Sequence, residues 1–101
     1  MAAYVVANIT ETDPDGFRAY REAALPVVTA FGGRTLIGPR PALRLESGHD
    51  SAWDPQRLVI VRFPDLDTAR RWHASQEYAG PKAMRQAAAR TDMLLYQGRD
   101  Q

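Results

Sequence analysis

Alternation of apolar and polar residues at the start of the chain predicts a β-strand over residues 3–9. Four further segments have strand character: 34–38, 42–46, 57–63 and 92–98. A Gly-Pro-Arg-Pro turn separates the segments 34–38 and 42–46 and interrupts any continuous ladder. These two segments therefore form either one bent strand or a short hairpin.

Helical spacing of apolar residues follows the first strand. Pro14 suits a first helical turn, and the stripe behind it consists of Phe17, Tyr20, Ala24, Val27, Val28 and Phe31. Pro26 lies within this stripe and lacks an N–H, so we expect a kink or a break there. Gly32 and Gly33 end the helix, because glycine accepts the left-handed conformation of a C-cap.

Two more helices are predicted between the last two strands. Asp65 caps a helix over residues 66–74, whose inward face is expected to hold Leu66, Ala69 and His73, with Trp72 at its edge. Ser75 begins a further helical segment. This segment runs past Gly80-Pro81 to about Arg90 and is expected to direct Met84, Ala87 and Ala88 inward.

The order of these elements predicts an α+β fold with a ferredoxin-like split βαβ arrangement, an antiparallel sheet and helices on one face. A chain of 101 residues has room for one core, so residues 1–101 are expected to form a single domain. The run LVIV within 57–63 is apolar on both faces. Since no further helices remain to cover the second face, we expect a homodimer.

Composition excludes several classes of function. The chain has no cysteine, which rules out disulfides, a thiolate nucleophile and cysteine metal ligands. Twelve arginines and one lysine balance twelve acids to a net charge of +1, and the charges are interspersed, so nucleic-acid binding is not expected. With no apolar run of membrane-spanning length and no signal-like start, a cytoplasmic protein without membrane contact is predicted.

Candidate chemistry is concentrated in the stretch WHASQEYAGPKAMRQ, residues 72–86. His73 is the candidate general acid or base, because imidazole exchanges protons near neutral pH; the alternative is a core histidine bonded to a backbone carbonyl. Tyr78 and Arg85 are seven residues apart and share a face if the helix continues through Pro81. Together they could hold a carboxylate or an enolate, or they could be a stacked pair that closes the helix seam.

Four further residues are candidates for substrate binding: Tyr20, Trp72, Arg44 and Arg62. For Tyr20 and Trp72 the alternative is core or interface packing, and for the two arginines it is a solvated ion pair. In the polar loop 47–56, His49, Asp50 and Asp54 lack the spacing of a zinc site, and Trp53 could be a lid or a dimer contact. No metal and no cofactor are expected, and no phosphate-binding or serine-hydrolase motif is present.

Several strings together resemble the bacterial domain-of-unknown-function family thirteen-thirty: YVVANITETDP, FGGR, LRLESG and RLVIVRFPDLDTARRWHASQEYAGPKAMRQAAARTDMLLYQG. The FP, A-R-x-W, S-x-E-Y and K-A-x-R elements occur in register. The resemblance implies a dimeric α+β barrel, with a small cavity between sheet and helices in each subunit. Its superfamily includes cofactor-free monooxygenases, polyketide cyclases, muconolactone-type isomerases, stress-responsive proteins and haem proteins, so the fold alone does not select a function.

Three positions depart from the pattern of that family. Arg62 stands where relatives often have an acid, His73 where they often have Tyr, and Gly80-Pro81 where an uninterrupted helix is usual. The leading hypothesis is a small cofactor-independent enzyme of secondary metabolism, of cyclase, isomerase, lyase or monooxygenase-like type. In it His73 moves a proton on a carbonyl or polyketide-like compound, while Arg85 and Tyr78 hold the anion. The alternative is a non-catalytic homodimer that binds a small molecule or serves as an accessory protein.

Overall fold

The computed structural model describes residues 1–48 and 57–99. Its elements, in chain order, are β1 (Ala3–Glu11), α1 (Pro14–Ala30), β2 (Arg34–Arg40), β3 (Leu58–Phe63), α2 (Leu66–Ala74), α3 (Gln76–Ala88) and β4 (Ala89–Gln97). The strands form one antiparallel sheet in the order β2-β3-β1-β4. This is the predicted ferredoxin-like α+β arrangement. Within the described ranges, no helix is long and apolar enough to cross a membrane.

Alternation along β1 separates the two faces of the sheet. Ala3, Val5, Ala7 and Ile9 are buried, and the residues between them are partly exposed. The register places Val5 opposite Val61 on one side and opposite Leu95 on the other. This helix-facing side of the sheet packs against apolar residues of all three helices. The opposite side, here called the outer face, is not covered by any helix or strand of the described residues.

The apolar stripe predicted on α1 is confirmed. Phe17, Ala24 and Val28 are buried, while Tyr20, Val27 and Phe31 are partly buried against the core. Asp13 caps the helix by accepting a 3.2 Å bond from the backbone N–H of Gly16. Gly32, with φ of 76°, makes the left-handed turn that leads into β2.

No break occurs at Pro26, where a kink or a break is predicted, and α1 is one helix from Pro14 to Ala30. Both Pro26 and Glu22, whose carbonyl loses its helical partner, are exposed. Water can therefore satisfy that carbonyl, and the helix continues.

The strand predicted over residues 42–46 is absent. β2 ends at Arg40, and residues 41–48 have no regular structure. The side chains of Leu43 and Leu45 are 86% and 88% exposed. β2 is an edge strand, so the segment that follows it finds no neighbouring backbone in the described chain with which to pair.

The inward faces predicted for the two later helices are partly wrong. In α2, Ala69 and Trp72 are buried and His73 is exposed. In α3, Ala88 is buried as predicted, but Met84 and Ala87 are exposed, and Tyr78 and Arg85 are buried instead. The reason is rotational: α2 turns its large indole rather than its imidazole toward the core, because burying the larger apolar surface is more favourable.

Candidate functional site

A cavity of about 240 Å³, here called the inner cavity, lies between α1 and the helix-facing side of the sheet. Most of its walls are aliphatic or aromatic side chains of α1, β1 and β3. The lining residues used below are Phe17, Tyr20, Arg21, Trp72, Arg85 and Met93. An apolar cavity with a few polar groups at defined positions is the usual form of a small-molecule site.

Two tyrosines and one arginine form the polar corner of this site: Tyr20 and Arg85 line the cavity, whereas Tyr78 is fully buried behind them and does not line it. The hydroxyl oxygens of Tyr20 and Tyr78 are 2.8 Å apart, and either can donate the hydrogen bond. Arg85 donates from its Nε to the Tyr78 hydroxyl at 3.4 Å. The structure thus brings together three candidate site residues from the sequence analysis, Tyr20, Tyr78 and Arg85, in one hydrogen-bonded cluster.

The connection between α2 and α3 explains how Tyr78 is positioned. The Ser75 hydroxyl donates to the carbonyl of Trp72 at 2.8 Å and accepts from the backbone N–H of Tyr78 at 3.1 Å. This cap begins α3 immediately after α2 ends. As a result the rings of Trp72 and Tyr78 pack against each other, with centroids 4.3 Å apart.

Arg85 reaches the same corner because α3 continues through Pro81. A separation of seven residues places Tyr78 and Arg85 two turns apart on one helix face. Proline removes one hydrogen bond, to the carbonyl of Glu77, and Glu77 is exposed, so the helix tolerates it. Their spacing in the sequence places Tyr78 and Arg85 on one face only if the helix continues through Pro81, and it does.

Among the described residues, no carboxylate neutralises the charge of Arg85. Its side chain is only 6% exposed, and within residues 1–48 and 57–99 it forms no ion pair. A buried guanidinium remains charged and normally has an anionic partner. The polar corner is therefore able to receive an anion.

Tyr20 is held in its neutral form. Burial raises the pKa of its hydroxyl well above the usual range, and the neighbouring Tyr78 adds to the rise, while Arg85 acts in the opposite direction. A neutral phenol can donate a hydrogen bond to a negatively charged oxygen. The Tyr20 hydroxyl is therefore able to donate a hydrogen bond to an anion.

Trp72 adds a polar atom without a partner. Its side chain is 2% exposed, and its Nε1 has no hydrogen-bond acceptor in the described part of the chain. Trp72 also lines the inner cavity. A buried indole N–H without an acceptor is costly, and this atom is closed off from solvent.

His73 does not line the inner cavity. It lies beside a second space of about 220 Å³, here called the outer pocket, between α2 and the edge of β4, together with Arg70 and Leu94. Partial shielding from water lowers the pKa of its imidazole, and the positive charges of Lys82 and Arg85 lower it further. Its prediction as a residue directed toward the cavity centre is wrong, because Trp72 occupies that direction.

The other predicted residues lie apart from this site. Arg44 is in the exposed segment 41–48, and Arg62 lies on the outer face opposite Tyr4 and Arg34. His49, Asp50, Trp53 and Asp54 fall outside the described residues. Within the described ranges, no group of three His, Asp or Glu residues could hold a metal ion.

The sequence prediction missed Arg21. It is exposed and lines the inner cavity, and its guanidinium carbon lies 5.8 Å from the ring centroid of Phe17. The signal was present, because Arg21 follows Phe17 by four residues and so lies one turn above it on the same helix face.

Comparison with known proteins agrees with this fold. The family model of a domain of unknown function, DUF1330, matches residues 2–99. The chain belongs to the DUF1330 family. No curated protein sequence matches it.

Solved structures similar to this DUF1330 protein share its fold. The RPA0582 protein of unknown function from Rhodopseudomonas palustris is 18% identical, with a TM-score of 0.71, over 99% of this chain and 84% of the other. SnoaB, a cofactor-independent oxygenase from Streptomyces nogalater, is 19% identical, with a TM-score of 0.61, over 99% and 95%. Rv0793 from Mycobacterium tuberculosis is 17% identical, with a TM-score of 0.56, over 100% and 98%.

These likenesses establish the fold, which is that of the dimeric α+β barrel proteins. Because all three identities are below one fifth, they carry no residue roles to this DUF1330 chain.

Proposed function

We propose that the inner cavity binds a small organic anion, and that the protein is a cofactor-independent enzyme acting on a carbonyl or polyketide-like compound. The observation that carries this proposal is the buried guanidinium of Arg85, which has no carboxylate partner in the described chain but shares the hydroxyl of Tyr78. Preorganised donors of this kind stabilise negative charge that develops on a reacting oxygen.

In this proposal the oxygen of an enolate or phenolate is held by Arg85 and Tyr20, which line the cavity, and the buried Tyr78 orients both of them through its hydroxyl. The two tyrosine hydroxyls use one of their protons between them, which leaves the second proton for the ligand. The guanidinium contributes charge in a setting from which water is largely excluded, where an electrostatic interaction is stronger than in bulk water. The apolar walls would hold the body of the compound.

A proton acceptor is the second requirement for cyclase, isomerase or lyase chemistry. His73 lines the outer pocket and not the inner cavity, so it takes this proposed role only for a ligand that extends past Trp72 into the outer pocket. The two spaces share Val5, Trp72 and Met93. Its lowered pKa leaves the imidazole neutral, and hence able to accept a proton, near neutral pH. SnoaB, which shares this fold, is a cofactor-independent oxygenase, and this supports chemistry without a cofactor here.

Thermal unfolding in the presence of ligands tests the binding step. The ligands are small carboxylates, β-keto acids and aromatic polyketide fragments, and the proteins are wild type, Arg85→Met and the control Arg18→Met. Arg18 is an exposed arginine of α1 that pairs with Asp15 outside the cavity. A ligand at a hundred times its Kd adds about 2.7 kcal/mol to the free energy of unfolding.

We expect at least one chemical class to raise the Tm of wild type and of Arg18→Met, but not of Arg85→Met. An equal rise in all three proteins, or no rise in any of them, would contradict the proposed anion site. Compounds that pass this test are then assayed for turnover with wild type and His73→Gln.

A second candidate is a binding protein without catalysis. It is favoured by one observation, that the lining of the inner cavity contains no carboxylate or imidazole among the described residues. Turnover separates the two: a stabilising ligand that is recovered unchanged, with no exchange of its α-proton for deuterium, indicates binding alone. Loss of turnover in His73→Gln with ligand binding retained supports the enzyme.

A homodimer forms part of the same proposal. The outer face carries large apolar side chains that contact water in one protomer: Ile37 is 46% exposed, Leu94 57% and Tyr96 55%. A contiguous exposed apolar surface is typical of an interface. A second copy that packs its outer face on the first would bury these residues from both sides.

A further inference from the structure

The charged residues of the inner cavity have one sign only. Arg21 and Arg85 line it, and its described lining contains neither Asp nor Glu. Elsewhere on α1, Arg18 has a carboxylate neighbour, Asp15, at 3.2 Å. Two cations without an anion in one apolar cavity create a positive potential that favours a negatively charged ligand.

The two arginines lie in different surroundings. Arg85 is buried and is hydrogen-bonded to Tyr78. Arg21 is exposed, lies over the ring of Phe17, and forms no ion pair in the described part of the chain. Arg85 therefore marks the inner end of the cavity, and Arg21 marks its mouth.

Apart from the two arginines, Tyr20 and Thr35, the described lining is apolar. It includes the side chains of Phe17, Ala24, Val28, Val59 and Val61. A volume of about 240 Å³ corresponds to roughly eight water molecules at about 30 Å³ each. The body of the ligand is therefore small and apolar, at or below the lower limit of drug-sized sites.

We infer that the ligand of the inner cavity carries two acidic groups at opposite ends of a small apolar body. This inference rests on the proposed anion site. One acidic group binds Arg85 and the Tyr20 hydroxyl, and the other binds Arg21 at the mouth. Arginine suits both positions, since its planar guanidinium can donate two parallel hydrogen bonds to one carboxylate.

The contribution of the two ends differs in size. The ion pair at Arg85 is shielded from water, so it determines whether an anion binds at all. The pair at Arg21 is exposed, and exposed pairs contribute little. We therefore expect the second acidic group to improve Kd by about threefold to tenfold, and added salt to reduce this improvement.

The test compares diacids with monoacids of the same shape. Phthalate, isophthalate and terephthalate are titrated against wild type, each beside its own monomethyl ester, which replaces one acidic group with a neutral one. The same titrations are repeated with Arg21→Gln, Arg21→Lys, Arg85→Met and the control Arg18→Gln. Isothermal calorimetry at 50 mM and 500 mM NaCl measures each Kd.

The expected result is that at least one diacid binds wild type and Arg18→Gln about threefold to tenfold more tightly than its monoester. Arg21→Gln should remove this preference, and Arg21→Lys, which keeps the charge, should retain part of it. The inference is overturned if no diacid is preferred, or if the preference survives in Arg21→Gln. If monoesters bind wild type but not Arg85→Met while no diacid is preferred, the proposed anion site is supported and the inference of a second acidic group is overturned. If no acid binds wild type, both the anion site and the second acidic group are overturned.

Discussion

The hydroxyl oxygens of Tyr20 and Tyr78 lie 2.8 Å apart, although the two residues are 58 positions apart in the chain. This hydrogen bond joins α1 to α3 at the polar corner of the inner cavity. Arg85 also donates a hydrogen bond to Tyr78. The polar groups of one residue of α1 and two residues of α3 therefore meet at the polar corner. The predictions below test this cluster and the packing around it.

Replacing Tyr20 with Phe removes one hydroxyl and keeps the ring. We expect the free energy of unfolding to fall by about 1 kcal/mol, because a part-buried hydrogen bond is lost while Tyr78 keeps its contact with Arg85. Urea unfolding measures the change. Thr29→Val is the control, since Thr29 is exposed on α1 and lies away from the outer face. Equal effects of the two substitutions would contradict a specific role for the Tyr20 hydroxyl.

Arg85→Met should leave the ligand-free protein as stable as wild type, or more stable. The variant replaces a buried charge that has no carboxylate partner in the described chain with an apolar side chain of similar length. Urea unfolding without ligand gives the comparison. A loss of more than about 2 kcal/mol would show that Arg85 is held for stability and not for a ligand.

Trp72→Ala and His73→Ala form a matched pair of neighbours in α2. The ring of Trp72 is buried against Phe63 and Tyr78, at centroid distances of 5.0 and 4.3 Å. Its loss should cost about 3–5 kcal/mol, whereas loss of the exposed imidazole should cost less than about 1 kcal/mol. Chemical denaturation measures both, and similar costs would argue against this orientation of α2.

The pKa shift of His73 predicts a loss of stability in mild acid. Its folded pKa is below the ordinary value of 6.5, so the unfolded chain binds the proton more readily. The free energy of unfolding should therefore decrease as the pH falls from about 7 through the folded pKa, and change no further below it. His73→Gln should flatten this slope in urea unfolding between about pH 7 and 5; an unchanged slope would contradict the shift.

Asp65 affects stability in a lower pH range than His73 and provides a comparison for it. Hydrogen bonds from Thr68 lower the pKa of its carboxyl below 3.8. Its stabilisation is therefore present above the unfolded pKa and is lost as the pH falls below it. Asp65→Asn should alter stability mainly above about pH 4 and leave the slope assigned to His73 in place.

Dimerisation is tested on the outer face. Leu94→Arg places a charge on a side chain that is 57% exposed in one protomer. If this face is the interface, the dimer Kd should rise by about thirtyfold or more, which corresponds to about 2 kcal/mol at a central contact. Light scattering across a dilution series measures it, with Leu25→Arg on α1 as the control. A monomeric wild type at micromolar concentration would exclude this dimer.

Much of the fold could be predicted because its signals are local. The alternation of β1, the helical stripe from Phe17 to Phe31, and the caps Asp65 and Ser75 each act over a few residues, and the structure has these elements close to the predicted bounds. The strand predicted over residues 42–46 was wrong for a non-local reason. Its sequence favours a strand, but a strand also requires a neighbour, and the edge position of β2 provides none.

In the candidate site, too, some features follow from local sequence and others depend on tertiary packing. Sequence by itself determined that Tyr78 and Arg85 share a face, because helix geometry follows from their spacing once α3 continues through Pro81. Only the tertiary structure decided that Tyr20 meets them, that Trp72 and not His73 faces the core, and that Arg21 stands at the cavity mouth. These outcomes depend on how helices are rotated and packed against the sheet, which is set by burial summed over many residues and not by any single local pattern.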